Sequence, residues 1–262
     1  MNKYTLITGA SSGIGLEMAR SCAKLGRNVL MISLPNEQLK EKADSIALKH
    51  NVVAQTFECN LTSSKAVADI YNWVVKGGYE VDFLINNAGF GGTAPFESHS
   101  LEYIENMLAL NNRAMAQMVN RFLPMLKQNK KSHILNVASL IAGQPAPFKS
   151  LYTASKTFLK NLSISLSYEL ESEGVVVSVL LPGATPTNEV VKSQIENGAF
   201  VARVSVMSAE DVARVAIKKA LAGKRVITTS NKNGMIRRLL VSLPNSVVAK
   251  LALNQRKKLD SK

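Results

Sequence analysis

Seven short apolar runs alternate with longer amphipathic stretches through residue 228, and that alternation sets the expected architecture. The runs cover residues 4–8, 28–33, 52–57, 81–85, 133–138, 175–181 and 225–228. Val29 to Ile32 is continuously apolar, and 175–181 stays apolar until Ser178. Strands buried on both faces read this way. Between the runs the spacing turns helical. Leu16, Met18 and Ala19 open one such stretch, and others span 37–50, 63–76, 101–110, 112–129, 151–173 and 209–221. Gly77-Gly78 ends one helix, and Ser208-Ala209-Glu210-Asp211 resembles a capping box at the start of the last. Strand and helix in alternation predict an α/β domain: a doubly wound parallel sheet of about seven strands with helices on both faces.

Two segments depart from this rhythm. Residues 188–207 show no strong period, yet carry Val190, Val191, Ile195, Phe200, Val201, Val204 and Met207. They read equally as an apolar lid or as packing on the domain. Beyond residue 230 an extension begins, residues 231–262. Ile236, Leu239, Leu240 and Leu243 form an i, i+3, i+4, i+7 stripe with Arg237 and Arg238 off it. Pro244 interrupts, and 245–259 presents Val247, Val248 and Leu251 before closing on Arg256-Lys257-Lys258.

Charge sharpens that division. Of the net +13, residues 1–217 hold 20 basic and 18 acidic residues, whereas 218–262 hold 12 basic residues against Asp260 alone. The basic character is therefore a local surface. Paired basic amphipathic helices suit an anionic membrane surface, and equally the substrate mouth or a sister subunit. The extension has no aromatic residue for stacking on bases, which argues against nucleic acid. A length of 262 residues suits one large domain, and no apolar run reaches the roughly 18 residues needed to span a bilayer. The first strand pattern begins by Lys3, leaving no room for a secretory signal. Cys22 and Cys59 are too few for a disulfide framework or a zinc site, so no metal is expected and a cytoplasmic location is, peripheral to the membrane if the tail binds it.

The candidate chemistry centres on Tyr152 and Lys156. Their i, i+4 spacing puts both on one helix face. A lysine ammonium there favours the phenolate, making a phenol of pKa about 10 a usable acid or base. Ser139, at the end of the fifth strand, adds a hydroxyl that can hold a carbonyl oxygen. Gly9, Gly13 and Gly15 lie between strand and helix, where a tight turn and unpaired helix N–H groups suit a pyrophosphate. The second strand ends Ser33-Leu34-Pro35-Asn36, without the acidic residue that selects NAD. Ser33 and Asn36 can donate to a 2′-phosphate, and Asn36 alternatively caps the next helix.

Thr8-Gly9-Ala10-Ser11-Ser12-Gly13-Ile14-Gly15, Asn86-Asn87-Ala88-Gly89, Ser139, Tyr152, Lys156 and Pro182-Gly183 occur in this order. Over about residues 3–228 the chain thereby resembles the short-chain dehydrogenase/reductase family. The resemblance implies a Rossmann-type catalytic domain over residues 1–230 with strand order 3-2-1-4-5-6-7. It implies NADP, or else NAD, as cofactor, held by Gly9, Ser11, Ser12, Gly13, Ile14, Gly15, Ser33, Asn60, Leu61, Asn87, Ala88, Gly89, Tyr152, Lys156, Pro182, Gly183 and Thr187. Asn60 stands where relatives usually carry an aspartate, and Thr187 where a threonine touches the nicotinamide. Asn111 takes the place of an asparagine that kinks a long helix and holds a water near the lysine.

These roles imply interconversion of a ketone and a secondary alcohol, with Tyr152 as proton donor, Ser139 holding the oxygen, Lys156 tuning the phenol and Asn111 completing a water path. Phe90, Pro95, Phe96, Pro145, Pro147 and Phe148 near the expected mouth favour an apolar or acyl-type ketone. A homo-oligomer, dimer or tetramer, is expected by resemblance. The competing reading is a non-catalytic dinucleotide sensor or scaffold on the same fold.

Overall fold

A computed structural model describes residues 3–187, 195 and 200–260. Val190 and Val191 of the expected lid lie outside the described residues. Seven strands form one sheet: β1 (Lys3–Thr8), β2 (Asn28–Ser33), β3 (Ala54–Glu58), β4 (Glu80–Asn86), β5 (Ser132–Val137), β6 (Val175–Leu181) and β7 (Val226–Thr228). Their order is 3-2-1-4-5-6-7, and every pairing is parallel. Both the topology and the strand count follow the expectation.

The helices are α1 (Gly13–Lys24), α2 (Leu39–His50), α3 (Ala66–Lys76), α4 (Leu101–Leu108), α5 (Met115–Lys127), α6 (Ser150–Glu169), α7 (Phe200–Val204), α8 (Ala209–Leu221), α9 (Asn231–Ser242) and α10 (Asn245–Asp260). Alternating strand residues feed two cores. Ile7, Met31 and Ile85 meet Met18, Ala43 and Val212 from α1, α2 and α8. Leu6, Leu30 and Leu84 meet Ile70, Met118 and Leu159 from α3, α5 and α6. Burial on both faces explains why these strands read as unbroken apolar runs.

Several boundaries differ from the sequence reading, each for a local reason. α2 starts at Leu39, not residue 37, because Asn36 and Gln38 adopt left-handed backbone (φ 64° and 53°). Gln38, not Asn36, is its N-cap. α6 ends at Glu169, and a 3₁₀ turn (Glu171–Glu173) carries the chain to β6. The tandem helices meet in a π-helical turn, Ala109–Ala114, that contains Asn111. Such turns interrupt the i→i+4 ladder and often mark functional sites.

A buried polar chain crosses the second core. Asn86 Nδ2 donates to Asn136 Oδ1 (2.9 Å), Asn136 Nδ2 to Ser163 Oγ (2.9 Å), and Ser163 Oγ to the Leu159 carbonyl (2.6 Å). It fixes α6 against β4 and β5, so the helix carrying Tyr152 and Lys156 has one register on the sheet. The extension is anchored at its first turn. Asn233, 1% exposed, donates to the Ser205 carbonyl (3.3 Å) and Thr229 Oγ1 (2.8 Å). Ser230 caps α9 by accepting from the Asn233 N–H (3.1 Å). Along the expected stripe, Ile236, Leu240 and Leu243 are half-buried and Leu239 is exposed. In α10, Val248 is buried while Val247 and Leu251 are exposed.

Candidate active site

The C-terminal ends of β1, β4, β5 and β6 converge on one rim, where open α/β sheets bind ligands. At that rim the glycine loop joins β1 to α1. Gly9 and Gly13 need positive φ (65° and 52°). Gly15 needs its missing side chain: a Cβ there would lie 2.1 Å from the Gly9 carbonyl oxygen. Asn87 clamps the loop, Nδ2 donating to the Thr8 and Gly9 carbonyls at 2.9 and 3.1 Å. Thr8 Oγ1 accepts from the N–H groups of Asn87 and Ala88 (3.0 and 3.1 Å). Asn87 and Ala88 therefore shape the cradle from below. Ser12 precedes α1 without capping it by its side chain, so the first-turn N–H groups of Gly13, Ile14 and Gly15 stay available to an anion. Thr187 hangs over the same turn, its Cγ2 2.7 Å from where a Gly13 Cβ would stand. These residues fit a dinucleotide pyrophosphate.

The far end of the cradle differs from the sequence reading. A carboxylate is present: Glu37 folds back through the left-handed turn and accepts a hydrogen bond from Ser11 Oγ. Lys42 Nζ donates to the Glu37 carbonyl (2.7 Å) and places a cation at the same turn. Ser33 Oγ donates to the neighbouring Leu34 carbonyl (2.9 Å), so its proton is engaged. Asn60 Oδ1 accepts from Thr62 N and Oγ1 (3.0 and 2.9 Å), closing its own turn, and Leu61 is a core residue.

Around the tyrosine–lysine helix the predicted groups do meet. Ser139, buried two residues past β5, lies close enough to the Tyr152 phenol for its hydroxyl to favour the phenolate. Lys156, 5% exposed, donates from Nζ to the Val137 carbonyl (3.0 Å). A Cβ on Gly89 would stand 2.9 Å from Asn111 Oδ1 and 3.0 Å from Lys156 Nζ. The glycine of Asn86-Asn87-Ala88-Gly89 is thus what lets those two side chains approach β4. Asn111 is fully buried, with Oδ1 accepting from Phe90 N (3.1 Å) and Nδ2 donating to Phe90 O (2.9 Å) and Ser155 Oγ (3.1 Å). Its side chain staples the loop after β4 to α6. Pro182 accepts from the Leu140 N–H (2.9 Å), and a Cβ on Gly183 would sit 2.2 Å from the Ser205 carbonyl.

Electrostatics here depart from the simple pairing of ammonium and phenol. Desolvation raises the Tyr152 phenol above its ordinary value, with the Ser139 hydrogen bond opposing it. Burial pushes Lys156 down to about 8. The lysine therefore loses its proton before the tyrosine does. Near neutral pH the site holds a neutral phenol beside an ammonium.

Sequence reasoning missed three contributors. Gly91 lets the loop lie on the Tyr152 ring, since a Cβ would meet Cδ2 at 2.3 Å. Lys149 sits 5.9 Å from the centroid of that ring, its ammonium destabilised by burial. Tyr103 and His99 join Phe90, which was expected near the mouth, in an aromatic wall beside them, Tyr103 stacking on His99 at 4.4 Å. The Gly91-Gly92 pair after Phe90 was the available signal. A cleft of about 780 Å³ opens at the opposite end of the sheet between Lys3, Lys131 and Val175, away from all these groups.

A nucleotide cradle facing a tyrosine–lysine helix on a doubly wound sheet defines a dinucleotide-dependent class of protein. A model of the short chain dehydrogenase family matches residues 3–199. The chain belongs to the short-chain dehydrogenase family. It is 31% identical over 188 residues to very-long-chain 3-oxoacyl-CoA reductase-B of Danio rerio, covering 70% of this chain and 59% of that relative. The chain thus spans under two thirds of that protein's length. It is 29% identical over 230 residues to D-beta-hydroxybutyrate dehydrogenase of Rhizobium meliloti, 87% of each. Among solved structures it resembles a short-chain dehydrogenase from Sphingobium yanoikuyae in complex with NADPH. That match has a TM-score of 0.78 at 25% identity and covers 92% of this chain and 96% of that one.

The lowered Lys156 value carries a pH signature. Its ammonium is present below about pH 8 and lost as pH rises through that value. Dinucleotide affinity should fall by about tenfold above pH 8, as a charge-assisted contact becomes a neutral one. Lys156→Arg, which stays charged, should show no such limb. A wild-type affinity unchanged across this range, measured by nucleotide titration, would count against it.

Proposed function

We propose that the chain is an NAD(P)-dependent oxidoreductase interconverting a carbonyl and a secondary alcohol, acting chiefly as a reductase of an apolar or acyl-type ketone. The observation that carries this is the meeting of Ser139, Tyr152 and Lys156 at the end of β5, with Lys156 one helical turn from Tyr152 and burial keeping the phenol protonated. A bound nicotinamide supplies the hydride. Ser139 and Tyr152 hold the substrate oxygen between two hydroxyls. Tyr152 gives its proton to the alkoxide as it forms, and Lys156 stabilises the phenolate left behind. Asn111 acts by position, through Phe90 and Ser155, and keeps one Oδ1 lone pair for a water that reloads the site. A sensor or scaffold would have no use for a buried acid assembled from three elements.

The cofactor is NADP, with NAD as the alternative. The Sphingobium structure was solved with NADPH. For NADP the Glu37 carboxylate must leave Ser11, freeing that hydroxyl to donate to the 2′-phosphate, and Lys42 supplies charge at the same turn. The aromatic wall of Phe90 and Tyr103 suits an apolar substrate. Exposed Leu108 and Phe158, on α4 and α6 around one shallow cleft, suit contact with a second copy.

Tyr152→Phe keeps the ring on Gly91 and removes only the proton. Turnover of a ketone panel should fall by about 10²-fold or more, with nucleotide affinity nearly unchanged. Turnover within twofold of wild type would remove Tyr152 from the reaction.

The extension suits peripheral contact with an anionic surface. Met235, Leu239 and Leu251 are 63, 62 and 50% exposed, beside exposed Arg238 and Lys250. Among the described residues no helix is long and apolar enough to cross a membrane. Sedimentation with anionic vesicles at low salt, lost at high salt, is the expected result. No sedimentation at low salt would leave those side chains to a protein partner.

A further inference from the structure

Lys149 is a cation at the catalytic tyrosine that the proposed reaction leaves unused. It ends the loop that begins at Ser139, and both ends of that loop reach Tyr152. Ser139 lies close to the phenol, and Lys149 Nζ stands 5.9 Å from the ring centroid. The backbone here is held from two sides. The Lys149 N–H donates to the Ala146 carbonyl (3.0 Å), and the Lys149 carbonyl accepts from Thr153 N and Oγ1 (2.9 and 3.1 Å). One residue earlier, the Phe148 carbonyl accepts from the Ala94 N–H (2.9 Å), which ties this loop to the one after β4. That second loop lies on the Tyr152 ring at Gly91 and carries Phe90 of the aromatic wall. Lys149 therefore stands where the two loops close around the tyrosine.

Two features of that placement are costly. Phe148 takes left-handed backbone (φ 66°), a region that a bulky side chain enters only where its surroundings impose it. The turn it makes sets the next side chain, Lys149, over the Tyr152 ring. The second cost is electrostatic. The Lys149 ammonium is half-buried, burial destabilises its charge, and it forms no ion pair among the described residues. The face of a neutral phenol is a weak partner for a cation and does not replace its lost water. Backbone strain and an unpaired charge beside one reacting group suit a ligand of opposite charge.

We infer that Lys149 is a specificity-determining residue that holds a carboxylate of the substrate, so that the ketone reduced at Tyr152 belongs to an oxo acid with its two functions close together. The inference rests on the proposed carbonyl chemistry and deepens it by naming the substrate class. The spacing follows from the distance. An ammonium 5.9 Å from the ring centroid, bonding directly to a carboxylate, reaches one only a few bonds from the carbonyl that Tyr152 protonates. An apolar chain then leaves the other side of the carbonyl along Phe90 and Tyr103.

The test uses the full-length protein saturated with oxidised NAD or NADP, whichever binds more tightly. A ketone cannot react with the oxidised cofactor, so calorimetry reads binding alone. The probes are a straight-chain β-oxo carboxylate, a chain isomer with its ketone at the end far from the carboxylate, and the methyl ester of each. The wild type should bind the β-oxo acid at least about tenfold more tightly than its ester, and the far-end isomer no better than its own ester. Lys149→Gln should erase that preference while leaving ester binding and nucleotide affinity unchanged, and Lys149→Arg should keep most of it. Equal binding of β-oxo acid and ester by the wild type, or a Lys149→Gln protein that weakens both alike, would overturn the assignment. So would a Lys149→Gln protein that loses thermal stability with its discrimination intact, which would make the lysine a packing cation on the Tyr152 ring. A preference shared by the far-end isomer would place the anion elsewhere and overturn it too. Failure of the proposed reaction reads differently: the acid would bind with its Lys149-dependent preference, yet neither acid nor ester would be reduced when the reduced cofactor is supplied.

Discussion

The hydrogen bond from Lys156 Nζ to the Val137 carbonyl is the contact on which the rest of the site depends. It joins α6 to the end of β5, and it forms only because Gly89 leaves space for the lysine and for Asn111. With no salt bridge to a carboxylate among the described residues, the ammonium is held by position. Salt bridges elsewhere on the chain, such as Lys40–Asp44 and Arg214–Asp211, are exposed helix pairs of small energetic weight. The buried Asn86–Asn136–Ser163 chain then keeps α6 from sliding along the sheet. A rotation or slip of that helix would move Tyr152 off Ser139 and Lys156 off Val137 together.

Burial also sets the protonation of the pair. Tyr152 is pushed up and Lys156 down to about 8, so a phenol faces an ammonium at neutral pH. An acid that retains its proton until an alkoxide appears is suited to the reductive direction. The lysine contributes most after the proton has left, when a phenolate needs a counter-charge. The simpler picture, an ammonium that keeps tyrosine ionised at rest, does not describe this arrangement.

Much of this was legible in the chain because the relevant physics is local. Strands buried on both faces must be apolar throughout, and a glycine turn between strand and helix has few other uses. Tyr152 and Lys156 share a face by helical period alone. What stayed hidden depends on contacts distant in sequence. Glu37 reaches Ser11 only because Asn36 and Gln38 take left-handed backbone, which no pattern signals. Asn111 was legible as a break between helices, but not as a π-turn whose side chain staples Phe90. Asn233 looked like an ordinary polar residue at the start of a basic tail, yet it is the buried anchor that ties the extension to Ser205 and Thr229.

The most direct test of this account is the titration of Tyr152 itself in the cofactor-free protein. Ultraviolet difference absorbance between wild type and Tyr152→Phe, followed from neutral to alkaline pH, isolates its phenolate. Desolvation predicts a phenol that stays protonated through neutrality and ionises only above its ordinary pKa of 10.0. A phenolate already present near pH 7 would contradict the account, because Tyr152 could not then be the resting acid that the buried site creates.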